Sequence, residues 1–177
     1  MSNLTILGDT SGSVVLQAPA VAGSGTITLP TTGGTVRTTT TPGTILQVVS
    51  ATYSTEISNS TGTYSDAGLS VSITPSSSSS KILILCSQGM FKSTGSAGIY
   101  MQVLRNSTSI LINGRLGITD SAGVGGFVLW SCNYLDSPAT TSAITYKTQF
   151  RNYNTTGTAY VNIDGSTAQI ALMEIAG

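Results

Sequence analysis

The apolar residues of this chain repeat with period two. In LSVSIT, residues 69–74, Leu69, Val71 and Ile73 fall on one side of an extended backbone, and Ser70, Ser72 and Thr74 fall on the other. The same alternation marks 98–106, 107–114, 126–135, 143–152, 158–164 and 168–176, while KILILCSQGMF, from residue 81, is at first apolar on both faces, as a central strand is. Turn clusters such as RNST, DSAGVGG, LDSPATT, NYNTTGT and DGST separate these segments, and RNST suits a hairpin. No window carries an i, i+3, i+4, i+7 apolar stripe, and the abundant Thr, Ser, Val and Ile favour strands over helices. The fold class is all-β.

About eight strands from residue 45 onward, spaced as in a sandwich, predict two packed antiparallel sheets, with a jelly roll as the favoured version. TTTTPGT, residues 38–44, breaks the pattern upstream and divides the chain into an extended N-terminal β-arm, 1–40, and a β-sandwich domain, 41–177. The arm holds one phrase three times: GSVVL, GTITL and GTVRT. Strands this short bury about three side chains per face and make no core alone. Three copies of the chain winding their arms together would supply a core, as would pairing with the edge of another protein's sheet. Packing of the arm on its own domain is the third solution. In either intermolecular case Val14, Val15, Leu16, Ile27, Leu29 and Val36 are the expected contact residues.

Charge narrows the choice of partner. Charged residues make up 8% of the chain, and seven basic residues balance seven acidic ones. No net field draws the protein to nucleic acid or an anionic membrane. Low charge at zero net charge also removes the repulsion that keeps a free monomer apart, so partner subunits are expected to cover much of the surface. The start, MSNLTILGDT, lacks the basic region and apolar run of a signal peptide, and no apolar stretch reaches the length of a membrane-spanning helix. Cys86 and Cys132 lie in apolar strand segments and read as small buried hydrophobes. Whether they pair is not readable from spacing.

Catalytic chemistry is thinly provided. The chain has no histidine, the commonest general base and metal ligand. Asp9, Glu56, Asp66, Asp120, Asp136, Asp164 and Glu174 form no local pair, and most read as turn residues. Two cysteines without histidine complete no ordinary zinc site, and TTGGT and AGVGG lack the Lys-Ser/Thr ending of a phosphate loop. No catalytic, metal or cofactor-binding residue is expected. Trp130 shares strand parity with Val128 and Cys132 and reads as core, whereas Tyr153, in RNYNTTG, reads as an exposed ring.

The arm sequence GSVVLQAPAVAGSGTITLPTTGGTV, with GLSVSITPSSSSSKILIL and the ending AQIALMEIAG, resembles virion structural proteins of tailed bacteriophages, cyanophages and other marine phages among them. The resemblance implies a homotrimeric virion surface component, made in the host cytoplasm, whose arm is the attachment device. It transfers no catalytic residue. Because no shaft separates arm from domain, the favoured role is a capsid decoration (cement) protein bound to the major capsid protein. The alternative is a short tail fibre or appendage recognising a host glycan through rings such as Tyr153. A third reading, a hydrolase, needs two of the scattered carboxylates to meet in one cleft.

Overall fold

The computed structural model describes residues 3–7, 13–17, 41–94, 97–118 and 124–177. The chain divides into two compact units, Met1–Val36 and Arg37–Gly177. In the first, β1 (Asn3–Leu7) pairs antiparallel with β2 (Ser13–Gln17), setting Leu4 opposite Leu16 and Ile6 opposite Val14. β2 falls on the first of the three repeated phrases, and β1 is a strand that the sequence pattern does not mark. The other two phrases lie outside the described residues.

The second unit is built from β3 (Ile45–Tyr53), β4 (Ile57–Asn59), β5 (Ser65–Ile73), β6 (Lys81–Thr94), β7 (Ala97–Arg105), β8 (Thr108–Ile118), β9 (Val124–Asp136), β10 (Ile144–Asn152), β11 (Ala159–Val161) and β12 (Ala168–Ile175), with a 3-10 turn at Ile163–Gly165. All the pairings are antiparallel. β7 pairs with β8, β6 with β9, β5 with β10 and β3 with β12. First therefore meets last around the central β7–β8 hairpin, so one long ribbon has rolled up into two sheets. That nesting is the jelly roll.

The first sheet runs β9–β6–β12–β3, and the second runs β5–β10–β7–β8. β6 is long enough to take β9 along one edge and both β12 and β11 on the other, with β4 outside β11. Between the sheets lie Leu69, Ile82, Ile84, Met90, Ile99, Met101, Trp130, Tyr146, Phe150, Ile170 and Leu172, all buried. Each is worth about 1.5–3 kcal/mol of burial. Trp130 thus occupies the core that its strand parity predicts, and its Nε1 donates to Asn113 Oδ1 at 3.1 Å.

Local chemistry sets the corners. Thr44 N donates to Thr41 O at 3.1 Å across Pro42 and Gly43, and Gly43 has φ 81°. Proline at the second position and a left-handed glycine at the third define a type II turn. Gly43 N then donates to Ala176 O, and Ala176 N to Thr44 O, both at 2.8 Å, fastening this entry to the end of β12. Asn106, with φ 55°, begins the two-residue turn from Arg105 to Thr108, as RNST predicts. β5 bulges against β10 around Gly68, whose φ of 93° and contact with the Tyr53 ring leave no room for a Cβ.

Candidate interaction surface

Directly opposed residues of an antiparallel pair share a face. On the outer face of the first sheet, the register places Val48, Met173, Leu83 and Leu135 in one row across β3, β12, β6 and β9. A second row runs Ser50, Ala171, Leu85 and Asn133, and a third Thr52, Gln169, Ser87 and Ser131. Beyond them Leu129 stands opposite Gly89, and Tyr160, Phe91 and Phe127 form an aromatic row across β11, β6 and β9. The Phe91 ring lies 4.8 Å from Phe127 and 5.9 Å from Tyr160. Leu129 is 72% exposed and Phe127 66%. Lys81, at the end of β6, is the one charged residue among these outward positions of the described strands. An antiparallel sheet facing water carries mostly polar residues on its outer face; this one has apolar rows at both ends, with a polar band of Thr52, Gln169, Ser87 and Ser131 between them.

The second sheet turns a different face outward. Asp66 on β5 accepts from Gln149 Nε2 on β10 at 2.7 Å. Gln102 Nε2 on β7 donates to Gln149 Oε1 at 2.8 Å, and Ser109 Oγ on β8 donates to Gln102 Oε1 at 2.9 Å. One chain of hydrogen bonds thus spans all four strands. Lys147 Nζ sits 3.0 Å from Asp66 Oδ1 and 3.1 Å from Oδ2. The Gln149 hydrogen bond, helped by Lys147, outweighs the cost of burial and holds the Asp66 carboxyl below its ordinary range. At the end of this sheet the Arg151 guanidinium lies 4.0 Å from the Tyr100 ring centre and 5.3 Å from that of Tyr64. Tyr153 stacks on Tyr100 at 5.7 Å. Tyr153 is exposed, as its position in the sequence predicts, and it belongs to this Tyr–Arg cluster.

The sequence-marked arm residues divide. Val14, Val15 and Leu16 lie on β2, while Ile27, Leu29 and Val36 fall outside the described residues. The turn reading of Asp136 needs correction, because Asp136 is the last residue of β9; Asp66 and Glu174 also lie on strands. Asp136, buried at the end of β9, receives both contacts of Arg105 Nη1 at 3.0 Å and the Tyr146 hydroxyl at 2.7 Å, tying the first sheet to the second. Burial, then the Asp136 hydrogen bond, push the Tyr146 hydroxyl's pKa up. Glu174, fully buried, accepts from Gln47 Nε2 at 2.6 Å and from Ser76 N and Oγ at 2.7 Å. Burial alone would raise its pKa, but these hydrogen bonds outweigh it and hold the carboxyl down. Asp66, Asp136 and Glu174 each have their own partners and share none. Among the described residues no three His, Cys, Asp or Glu side chains gather as metal ligands.

The apolar outer face is the feature that residue-by-residue reading misses. Its sequence signal is present: KILIL and GFVLW are apolar at consecutive positions, so half of those side chains must point away from the core.

No protein-family model matches the chain, and no curated protein does. Solved structures do. The T=1 particle derived from infectious bursal virus aligns with 97% of this chain and 40% of its own, at 14% identity and a TM-score of 0.51. Infectious bursal disease virus, Gt strain, aligns with 97% of this chain and 46% of its own, at 14% identity and a TM-score of 0.44. Latent PorU from Porphyromonas gingivalis aligns with 76% of this chain and 14% of its own, at 16% identity and a TM-score of 0.35. The chain spans less than half the length of each. The β-unit has a fold like that of viral capsid proteins, and at this identity the likeness is one of fold.

Proposed function

We propose that this chain is a non-enzymatic structural protein of a virion, and specifically a capsid decoration protein at the virion surface. In this reading three copies associate through the outer face of the first sheet, and their N-terminal arms bind the major capsid protein. The observation that carries the proposal is the outer face of that sheet, where Val48, Leu85, Leu135, Leu129 and Phe127 are exposed and Lys81 is the one charge among its described residues. Depletion of charge and enrichment in aromatics mark the centres of protein interfaces, and such a face left in water invites association. The capsid-like jelly roll supports the virion setting. Three arms on one knob would multiply modest contacts by avidity, and binding only the assembled shell would stabilise it.

The test is copy number in purified virions, by quantitative mass spectrometry against the major capsid protein. A fixed simple fraction of the capsid copy number is the expected result. Its absence from virions overturns the proposal.

The Tyr64–Arg151–Tyr100–Tyr153 cluster favours a second reading, a short appendage that binds a host surface glycan. Stacked rings beside a guanidinium suit pyranose faces and hydroxyls. A few tens of copies per particle, with Tyr153→Ala virions failing to adsorb, would select this reading over decoration.

A further inference from the structure

Cys86 on β6 and Cys132 on β9 are directly opposed in the ladder. Their Sγ atoms lie 2.8 Å apart, and both are free thiols. A disulfide requires Cα atoms about 4.4–6.8 Å apart. Opposed residues of an antiparallel pair stand at about 4.5 or 5.5 Å, within that range. β9 has its only strand ladder, among the described residues, with β6, and it carries the outward Phe127, Leu129 and Leu135. We propose that Cys86 and Cys132 form a redox pair that closes to a cross-strand disulfide on reaction with a small-molecule disulfide such as oxidised glutathione, clamping β9 to β6. This inference stands apart from the virion reading and holds or fails without it.

The order of attack follows from the surroundings of the two thiols. Cys86 is buried, while Cys132 is half-buried and is the one an oxidant reaches first. A hydrogen bond from the Cys86 thiol favours the Cys132 thiolate and outweighs the burial that opposes it, holding that pKa down. The same hydrogen bond, and then burial, push the Cys86 thiol up. The Cys132 thiolate therefore attacks one sulfur of the oxidant. The oxidant's S–S bond breaks, a mixed disulfide forms on Cys132, and one small thiolate leaves and takes up a proton. Cys86 then gives up its proton and attacks the Cys132 sulfur. The mixed disulfide breaks, the protein disulfide forms, and the second small thiolate leaves and is protonated. Two protein thiols are oxidised and one small disulfide is reduced to two thiols.

The full chain, reduced with dithiothreitol and then held in oxidised glutathione, is denatured, alkylated with iodoacetamide and digested without reductant. Mass spectrometry is expected to find neither cysteine alkylated and one peptide pair joined through Cys86 and Cys132. In Cys86→Ser the same treatment should stop at a glutathione adduct on Cys132. Alkylation of both cysteines in the oxidised wild type would overturn the proposal. So would glutathione adducts that persist on the wild type, or links that join two copies of the chain instead of two strands of one.

Discussion

On the outer face of the second sheet, Asp66, Gln149, Gln102 and Ser109 pass a hydrogen bond from strand to strand. On the outer face of the first, Val48, Met173, Leu83 and Leu135 occupy a comparable row and pass none. Both sheets contribute to the same core, so burial against each other does not explain the difference. A polar ladder is complete in water, since each group has a partner and the rest are solvated. An apolar row is complete only when something covers it. One face is satisfied by its own hydrogen bonds, and the other leaves apolar side chains exposed.

The two sheets are tied together by polar contacts at Asp136. Asp136→Ala removes the acceptor shared by Arg105 and the buried Tyr146 hydroxyl, and it should destabilise the fold by about 3 kcal/mol in urea denaturation. No loss would mean that the sheets are held together by apolar packing alone. The polar ladder is the next target. Gln149→Ala deprives both Asp66 and Gln102 of a partner, and its expected cost is about 1 kcal/mol, with no change in oligomeric state.

Acid sharpens the contrast further. Asp66 and Glu174 both have folded pKa values held below their ordinary ones. The stability they contribute is present above the ordinary carboxylate range and is lost as pH falls through their depressed folded values. Glu174→Gln should therefore flatten the acid limb of a stability–pH curve while leaving its neutral shape intact. An unchanged acid limb would show that Glu174 takes no part in it. The smallest effect belongs to Ile112→Asp on the second sheet. Ile112 is 59% exposed, and its replacement should shift stability by no more than about 0.5 kcal/mol.

Much of this architecture is legible in the chain. Alternation locates β5, β7, β8, β10, β11 and β12, while β6 and β9 show as strand-length apolar runs. β3 escapes because its register slips opposite Glu174 and Ile175, so Ile45, Leu46, Val48 and Val49 do not alternate. β4, at three residues, is too short to carry a period. Strand order is beyond local reading, since β3 finds β12 more than a hundred residues away, as the bond from Gln47 to Glu174 illustrates. The same holds for the surface. KILIL and GFVLW announce side chains without a core position, but only the register lines up Leu83 with Leu135 and Phe91 with Phe127. Asp136 is misread as a turn residue because LDSP has turn chemistry. Its partners, Arg105 and Tyr146, lie on other strands and leave no local trace.

The most direct measurement is sedimentation velocity of the full chain beside two variants, Leu129→Asp on the first sheet and Ile112→Asp on the second. The residues replaced are both exposed and both aliphatic, and they differ in the face they occupy. A buried interface anchor is worth about 2 kcal/mol or more, roughly 30-fold in affinity. The account predicts a trimer for the wild type and for Ile112→Asp, and dissociation for Leu129→Asp. A monomeric wild type, or a Leu129→Asp chain that sediments as the wild type does, would contradict it.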